Sequence, residues 1–226
     1  MFRGRRRAPF EGAMLGIFHV TLTELLALHG GPGAIARLLE QAGLPAGTRF
    51  RIDTRYPDTD AERLLATAAQ VLGLDAAALH RAYAAHAGAW ALRVFPSFFE
   101  LAPDSREFLR SQPRFAGLLD AGAQGAGPDP LPTGAPGPIE IETPAPDALR
   151  IRWRASPGLL ALYRELLRWV VRHYRDVADV RMQVNGSGTG MVAIYDLSWI
   201  RFAGDTRRHE RFETTAPDES PVPPAA

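Results

Sequence analysis

The chain lacks cysteine and lysine altogether, carries almost no net charge, and has no long uninterrupted apolar run. Each absence removes a class of chemistry. Without cysteine there is no disulfide framework, thiolate ligand, iron–sulfur centre or catalytic thiol. A formal net charge of +1 offers little footprint for a nucleic acid, which calls for a clustered basic face. All 26 basic side chains are arginine, which reads as a bias of composition before it reads as recognition. The most apolar stretch, Leu159 to Val171, is broken by Arg164, Glu165 and Arg168, whereas a helix that spans a bilayer needs about 20 mostly apolar residues. Neither a membrane nor a nucleic acid is therefore expected as a partner, and a cytoplasmic setting is the expectation. With 226 residues and 46% hydrophobic content, the chain buries a sizeable core without staples, and one domain is favoured. No Ser-His-Asp pattern, metal-ligand spacing, nucleotide fingerprint or carboxylate pair stands out, so no catalytic residue or metal site is assigned and no enzyme is expected.

Along the chain, residues 1–13 form a leader with Arg3, Arg5, Arg6 and Arg7. Such a start opens some secretory signals and nucleic-acid-binding arms. Glu11 and His19 interrupt any apolar core of a signal, and no small-residue cleavage site follows, so the leader reads as a disordered extension. A helical part is expected over 14–120. Thr21 with Glu24, and Thr59 with Glu62, have capping-box spacing ahead of apolar runs. Gly73 is placed to close the second of these helices, and Asp75 to cap the next, whose Leu79, Ala82, Tyr83, Ala87 and Trp90 recur at helical spacing until Pro96. A further helix is expected from Ser105 towards Leu119, kinked or restarted at Pro113 because proline lacks the N–H and its ring clashes with the preceding turn.

Residues 121–138 turn to glycine, alanine and proline and read as a linker. A sheet-and-helix part is expected over 139–202. Leu149, Ile151, Trp153 and Ala155 alternate with Arg150, Arg152 and Arg154, the period of a strand with one buried and one wet face. A helix from Pro157 places Leu159, Tyr163, Leu166, Leu167, Val170 and Tyr174 on one side. Strands over 177–184 and 191–202 flank a glycine-rich hairpin loop, 185–190. That loop is not read as a phosphate cradle, because no helix N-terminus follows it. The tail, 203–226, reads as disordered. Helices first and an antiparallel sheet with an intervening helix second make the fold class α+β.

Several short motifs carry a resemblance: Met14-Leu15-Gly16, Tyr56-Pro57-Asp58, Phe95-Pro96-Ser97-Phe98-Phe99 and Phe108-Leu109. With the sheet-and-helix segment that follows, they make the chain resemble the H-NOX family, the haem nitric oxide/oxygen-binding (HNOB) domains. The resemblance implies an α+β gas-sensing domain with haem as cofactor, working in signal transduction through a separate kinase or cyclase. It also implies an iron-binding histidine seven residues after the Phe-Leu pair. Counting from Leu109 gives Ala116. A second family signature, Tyr-x-Ser-x-Arg, holds the haem propionates and falls here on Trp153, Ala155 and Pro157. A phenol, a hydroxyl and a bidentate guanidinium are all replaced. An alternative frame, anchored on Gly158-Leu159, gives Arg152, Arg154 and Ser156 and also misses the motif.

The expectation is thus a degenerate sensory or regulatory domain that acts through a separate signalling protein, with haem absent or weakly bound. Two alternatives stand beside it. One is a haem-dependent sensor with a replacement ligand, for which His86 in the helix near Tyr83 and Trp90 is the internal candidate. The other is an interaction module that takes no ligand. Of the remaining histidines, His29 is expected at a helix C-terminus, where positive charge is favourable, and His173 beside Arg172 and Arg175 in solvent.

Overall fold

The computed structural model describes residues 13–114, 139–186 and 191–203. The leader up to residue 12, Ala116, the 121–138 linker, residues 187–190 of the hairpin loop and the tail from 204 lie outside them. The described chain is α+β, as the periodicities require. Its helical part comprises β1 (Ala13–Leu15), α1 (Ile17–His29), α2 (Ala34–Gln41), β2 (Arg55–Pro57), α3 (Asp58–Leu72), α4 (Ala76–Val94), α5 (Pro96–Glu100) and α6 (Ser105–Arg110). The sheet part comprises β3 (Ile139–Ala145), β4 (Ala148–Arg154), α7 (Pro157–His173), β5 (Val177–Asn185) and β6 (Val192–Arg201). The four longer strands form an antiparallel sheet in the order β3-β4-β6-β5, and β1 pairs with β2 in a separate two-stranded sheet.

Helix boundaries agree with the sequence where a special residue sets them. Gly73 adopts φ 64° and ends α3, while Leu74 N–H reaches back to the Ala69 carbonyl at 2.9 Å, as a left-handed C-cap allows. Asp75 accepts from Ala78 N–H at 2.6 Å and opens α4. His29 closes α1 as expected.

The two capping boxes are a correction. α1 starts at Ile17, so Thr21 lies inside the helix, and its hydroxyl bonds back to the Ile17 carbonyl at 2.8 Å and pairs with the Tyr83 hydroxyl at 2.8 Å. Threonine in a helix interior commonly satisfies its hydroxyl on the preceding turn. α3 starts directly after Pro57 without a side-chain cap, and Asp58 and Asp60 in its first turn complement the helix dipole instead. α6 stops at Arg110 with Ser111 as its cap. Residues 112–114 turn helical again around Pro113.

β1 and β2 are too short to leave a period in the sequence, whereas buried Ala34, Leu38, Leu39 and Ala42 recur at helical spacing along α2, a signal the sequence reading left unused. What holds β1 and β2 is a close approach. Gly16 N–H donates to the Thr54 carbonyl at 2.8 Å, and a Cβ at Gly16 would lie 1.9 Å from the Arg51 carbonyl oxygen. Tyr56 then packs against His19, with ring centroids 4.6 Å apart. The Met-Leu-Gly and Tyr-Pro-Asp motifs are therefore two sides of one contact.

α7 crosses the inner face of the sheet. Leu149, Ile151, Ala193, Tyr195, Leu197 and Trp199 are buried beneath it, and Tyr195 donates its hydroxyl to the Leu160 carbonyl at 2.7 Å. The outer face carries Arg150 paired with Asp196 at 2.7 Å and Arg152 paired with Glu140 at 3.3 Å. The solvated arginine face read from alternation is what the fold shows. α4 packs on α7 through a notch at Gly88, where a Cβ would come within 2.2 Å of the Trp169 indole.

Candidate functional site

A partly open cavity of about 250 Å³ lies where the helical part meets the sheet part. β1 supplies Met14 and Leu15, α1 supplies Ile17 and Phe18, α4 supplies Tyr83, and β4 supplies Trp153. The remaining wall is one stripe of α7, Leu159, Leu162, Tyr163 and Leu166, at the spacing that puts residues on a single helix face. Phe18 and Tyr83 form one aromatic pair, 5.2 Å between centroids. Trp153 and Tyr163 form another at 4.8 Å. One pair belongs to each half of the domain.

The tyrosine hydroxyls of this wall are already engaged. Tyr83 shares a hydrogen bond with Thr21, and Tyr163 donates to the Gln112 side chain. Burial pushes both phenol groups well above their ordinary range, so both stay neutral hydroxyls. Among the described residues that line the cavity, none is charged and none is a histidine.

The residues singled out from sequence separate in space. Trp153 lines the cavity. Ala155 is buried, and its N–H donates to the Met191 carbonyl at 3.1 Å, extending the sheet. Pro157 is the first residue of α7 and is exposed. In the alternative frame Arg152 and Arg154 are exposed, while Ser156 is buried with no partner to its hydroxyl among the described residues. His86 is outside the cavity wall, and its Nε2 sits 3.5 Å from Glu24 Oε2 on α1. Burial lowers its pKa, and Glu24 opposes that shift.

His173 is exposed, as expected, yet its ring stacks on Trp169 at 5.2 Å, and burial of the ring lowers its pKa. His80 is buried with a lowered pKa for the same reason, opposed by Glu165 on α7. No group of three or more potential metal ligands occurs among the described residues.

From the sequence, His19 was read only as a break in an apolar run, and its burial was missed. It has no exposed surface, it contacts Phe18, Phe50 and Tyr56, and neither ring nitrogen has a hydrogen-bond partner among the described residues. Burial depresses its pKa to about 4 against a weaker opposing effect of Asp60. Its place inside the apolar run Ile17–Leu26 was the available signal.

Haem needs an axial donor and cationic or hydroxyl anchors for its propionates. The described cavity wall offers neither. Space points the same way: an apolar cavity of about 150 Å³ holds one benzene ring, and four pyrroles around an iron need roughly twice the present volume or more by that proportion. The described residues of this wall do not fit the group.

Comparison with known proteins places the fold. The haem-NO-binding family model matches residues 15–115. An oxygen-binding H-NOX domain related to soluble guanylate cyclases, in its oxygen complex, superposes with TM-score 0.64 at 14% identity, covering 84% of this chain and 96% of that one. An unliganded Fe(II) mutant H-NOX protein from K. algicida gives TM-score 0.66 at 15% identity, over 85% and 100% of the two chains. A mutant of T. Tengcongensis H-NOX gives 0.64 at 14% identity, over 84% and 100%. No curated protein sequence matches significantly. The helical part is thus similar to the haem-NO-binding family, and the fold across both parts is that of H-NOX domains. No helix among the described residues is long and apolar enough to cross a membrane.

Proposed function

We propose that this chain is an H-NOX-fold sensory or regulatory domain that has lost the usual haem ligation and acts through a separate signalling protein of kinase or cyclase type. The observation that carries the reading is the composition of the cavity wall. Where the family pattern calls for a tyrosine that binds a propionate, Trp153 contributes its indole to an apolar wall without charge or histidine among the described residues. Ala116, at the sequence position of the iron ligand, adds a methyl group where an imidazole is needed. A regulator of this kind works when its ligand binds two arrangements of the domain with different affinity. The cavity is built for that, because its walls come from both halves of the domain.

The reading in which His86 replaces the iron ligand gains no support from the side chain's position against Glu24. The deciding experiment is to express the full chain with abundant haem supply, purify it, and record the visible spectrum with and without nitric oxide. Far less than stoichiometric haem, with no five-coordinate ferrous histidine spectrum, is the expected result. A full-occupancy Soret band that disappears in His86→Ala overturns the proposal in favour of the haem-dependent sensor.

A further inference from the structure

We infer that the cavity between the two halves is a binding site for a small, flat, neutral aromatic molecule of about two fused rings. The inference rests on the reading above that haem is not the occupant. Size comes first. A cavity of about 150 Å³ with an aliphatic and aromatic lining admits benzene, and drug-sized ligands occupy pockets from about 300 Å³ upward. At about 250 Å³, this cavity falls between them, at the scale of indole or naphthalene.

The chemistry of the wall narrows the class. Aromatic rings gain by offset or edge-to-face contact with other rings. Here Phe18 with Tyr83 on one side and Trp153 with Tyr163 on the other supply two such pairs, at 5.2 Å and 4.8 Å. A planar guest touches both. A charged guest is disfavoured, because a charge moved into an apolar wall without a partner loses its hydration uncompensated, and both tyrosine hydroxyls are committed to Thr21 and Gln112.

The position makes such a guest consequential. It contacts α1 and α4 of the helical part and β4 and α7 of the sheet part, so any difference in how the two halves sit against each other changes its affinity, and its binding biases their arrangement. The ligand itself becomes the element that joins the halves.

The test uses the purified full chain with three probes: indole, indole-3-acetate and haem. Indole is expected to raise the unfolding temperature in a saturable way and to shift the methyl resonance of Met14, which lines the cavity, while leaving that of Met182 on β5 in place. Indole-3-acetate, with the same rings and a carboxylate, is expected to bind at least about tenfold more weakly. Leu166→Phe, which puts a ring into the space, is expected to weaken indole by a similar factor, and Leu162→Phe serves as a second filling variant. If indole shifts no cavity methyl in the wild-type chain, or binds the filled variants and the wild type alike, the inference falls. Should both variants fail to fold, the Met14 resonance in the wild type decides by itself. Haem separates the two proposals: stoichiometric haem uptake that displaces indole overturns the proposed function, whereas absence of both haem and indole binding overturns this inference alone.

Discussion

His19 in the helical part and Asp176 in the sheet part are both buried polar groups, and they are held in opposite ways. Asp176 accepts three hydrogen bonds, from Ser105 N–H at 2.9 Å, Ser105 Oγ at 2.7 Å and Ala203 N–H at 2.8 Å. Trp199 completes the group by donating its indole N–H to Ser105 Oγ at 2.8 Å. His19 has an aromatic shell and no hydrogen-bond partner among the described residues. For the carboxyl group, three donors replace the hydration it gives up on burial. The imidazole stays folded by giving up its charge, with its pKa pushed down to about 4. Satisfaction and neutralisation are two routes to burying polarity. The first bolts α6 and the end of β6 to the turn after α7, while the second leaves a spot whose stability depends on pH.

The largest expected effect breaks the satisfied side. Asp176→Ala strands the Ser105 and Ala203 amides, and each unsatisfied buried group costs about 1–3 kcal/mol. A loss of about 3 to 4 kcal/mol in denaturant-derived stability is expected, with Asp176→Asn losing less because one acceptor oxygen remains. A loss below about 1 kcal/mol would show that the network is peripheral.

The next effect sharpens the unsatisfied side. The folded pKa of His19 lies below its ordinary value of 6.5, so the unfolded chain binds the proton more readily, and stability falls as pH drops. The contribution is fully present above pH 6.5 and is lost progressively down to about pH 4, reaching on the order of 3 kcal/mol. His80, His86 and His173, whose pKa values are also lowered, add in the same direction. His19→Phe is expected to flatten that slope and to leave stability at pH 7 unchanged or raised, since it removes a polar group that has no hydrogen-bond partner among the described residues. Stability curves of the two proteins that run parallel from pH 7 to about 4 would remove His19 as the source.

The smallest effect probes one bond of the network. Trp199→Phe removes the donor to Ser105 Oγ and keeps a ring in the core, with an expected cost of about 1 to 2 kcal/mol by thermal unfolding. Measured together with Asp176→Ala, the double variant is expected to lose less than the sum of the single ones, because the two side chains meet on Ser105.

How much of this was legible beforehand follows from the range of each interaction. The amphipathic run of α7, the Asp75 cap and Gly73 stop around α4 and α3, and the alternation of β4 could all be read, because each signal lies within one turn or one strand pair. Complementary charge gave a further clue that went unused: Glu140 and Glu142 alternate with Ile139 and Ile141, and β3 pairs them with Arg152 and Arg150. The capping boxes misled because the Thr-x-x-Glu spacing also occurs inside helices, where Thr21 bonds to the preceding turn and to Tyr83. At the candidate site, Trp153 was singled out from the sequence and does line the cavity. The cavity was not, since its wall is assembled from β1, α1, α4, β4 and α7.

By itself, then, the sequence determined the α+β composition, the arginine-bearing wet face of the sheet and the absence of thiol chemistry, all of which follow from residue type and local period. Tertiary structure alone decided that His19 is sealed without a hydrogen-bond partner among the described residues, that Asp176 is satisfied, and that two aromatic pairs line one cavity. The physical reason is distance along the chain. Thr21 meets Tyr83 across 62 positions, Ser105 meets Asp176 across 71, and Ser105 meets Trp199 across 94. Such contacts leave no period in the sequence, because they are set by how the helices and the sheet pack and not by the spacing within any one of them.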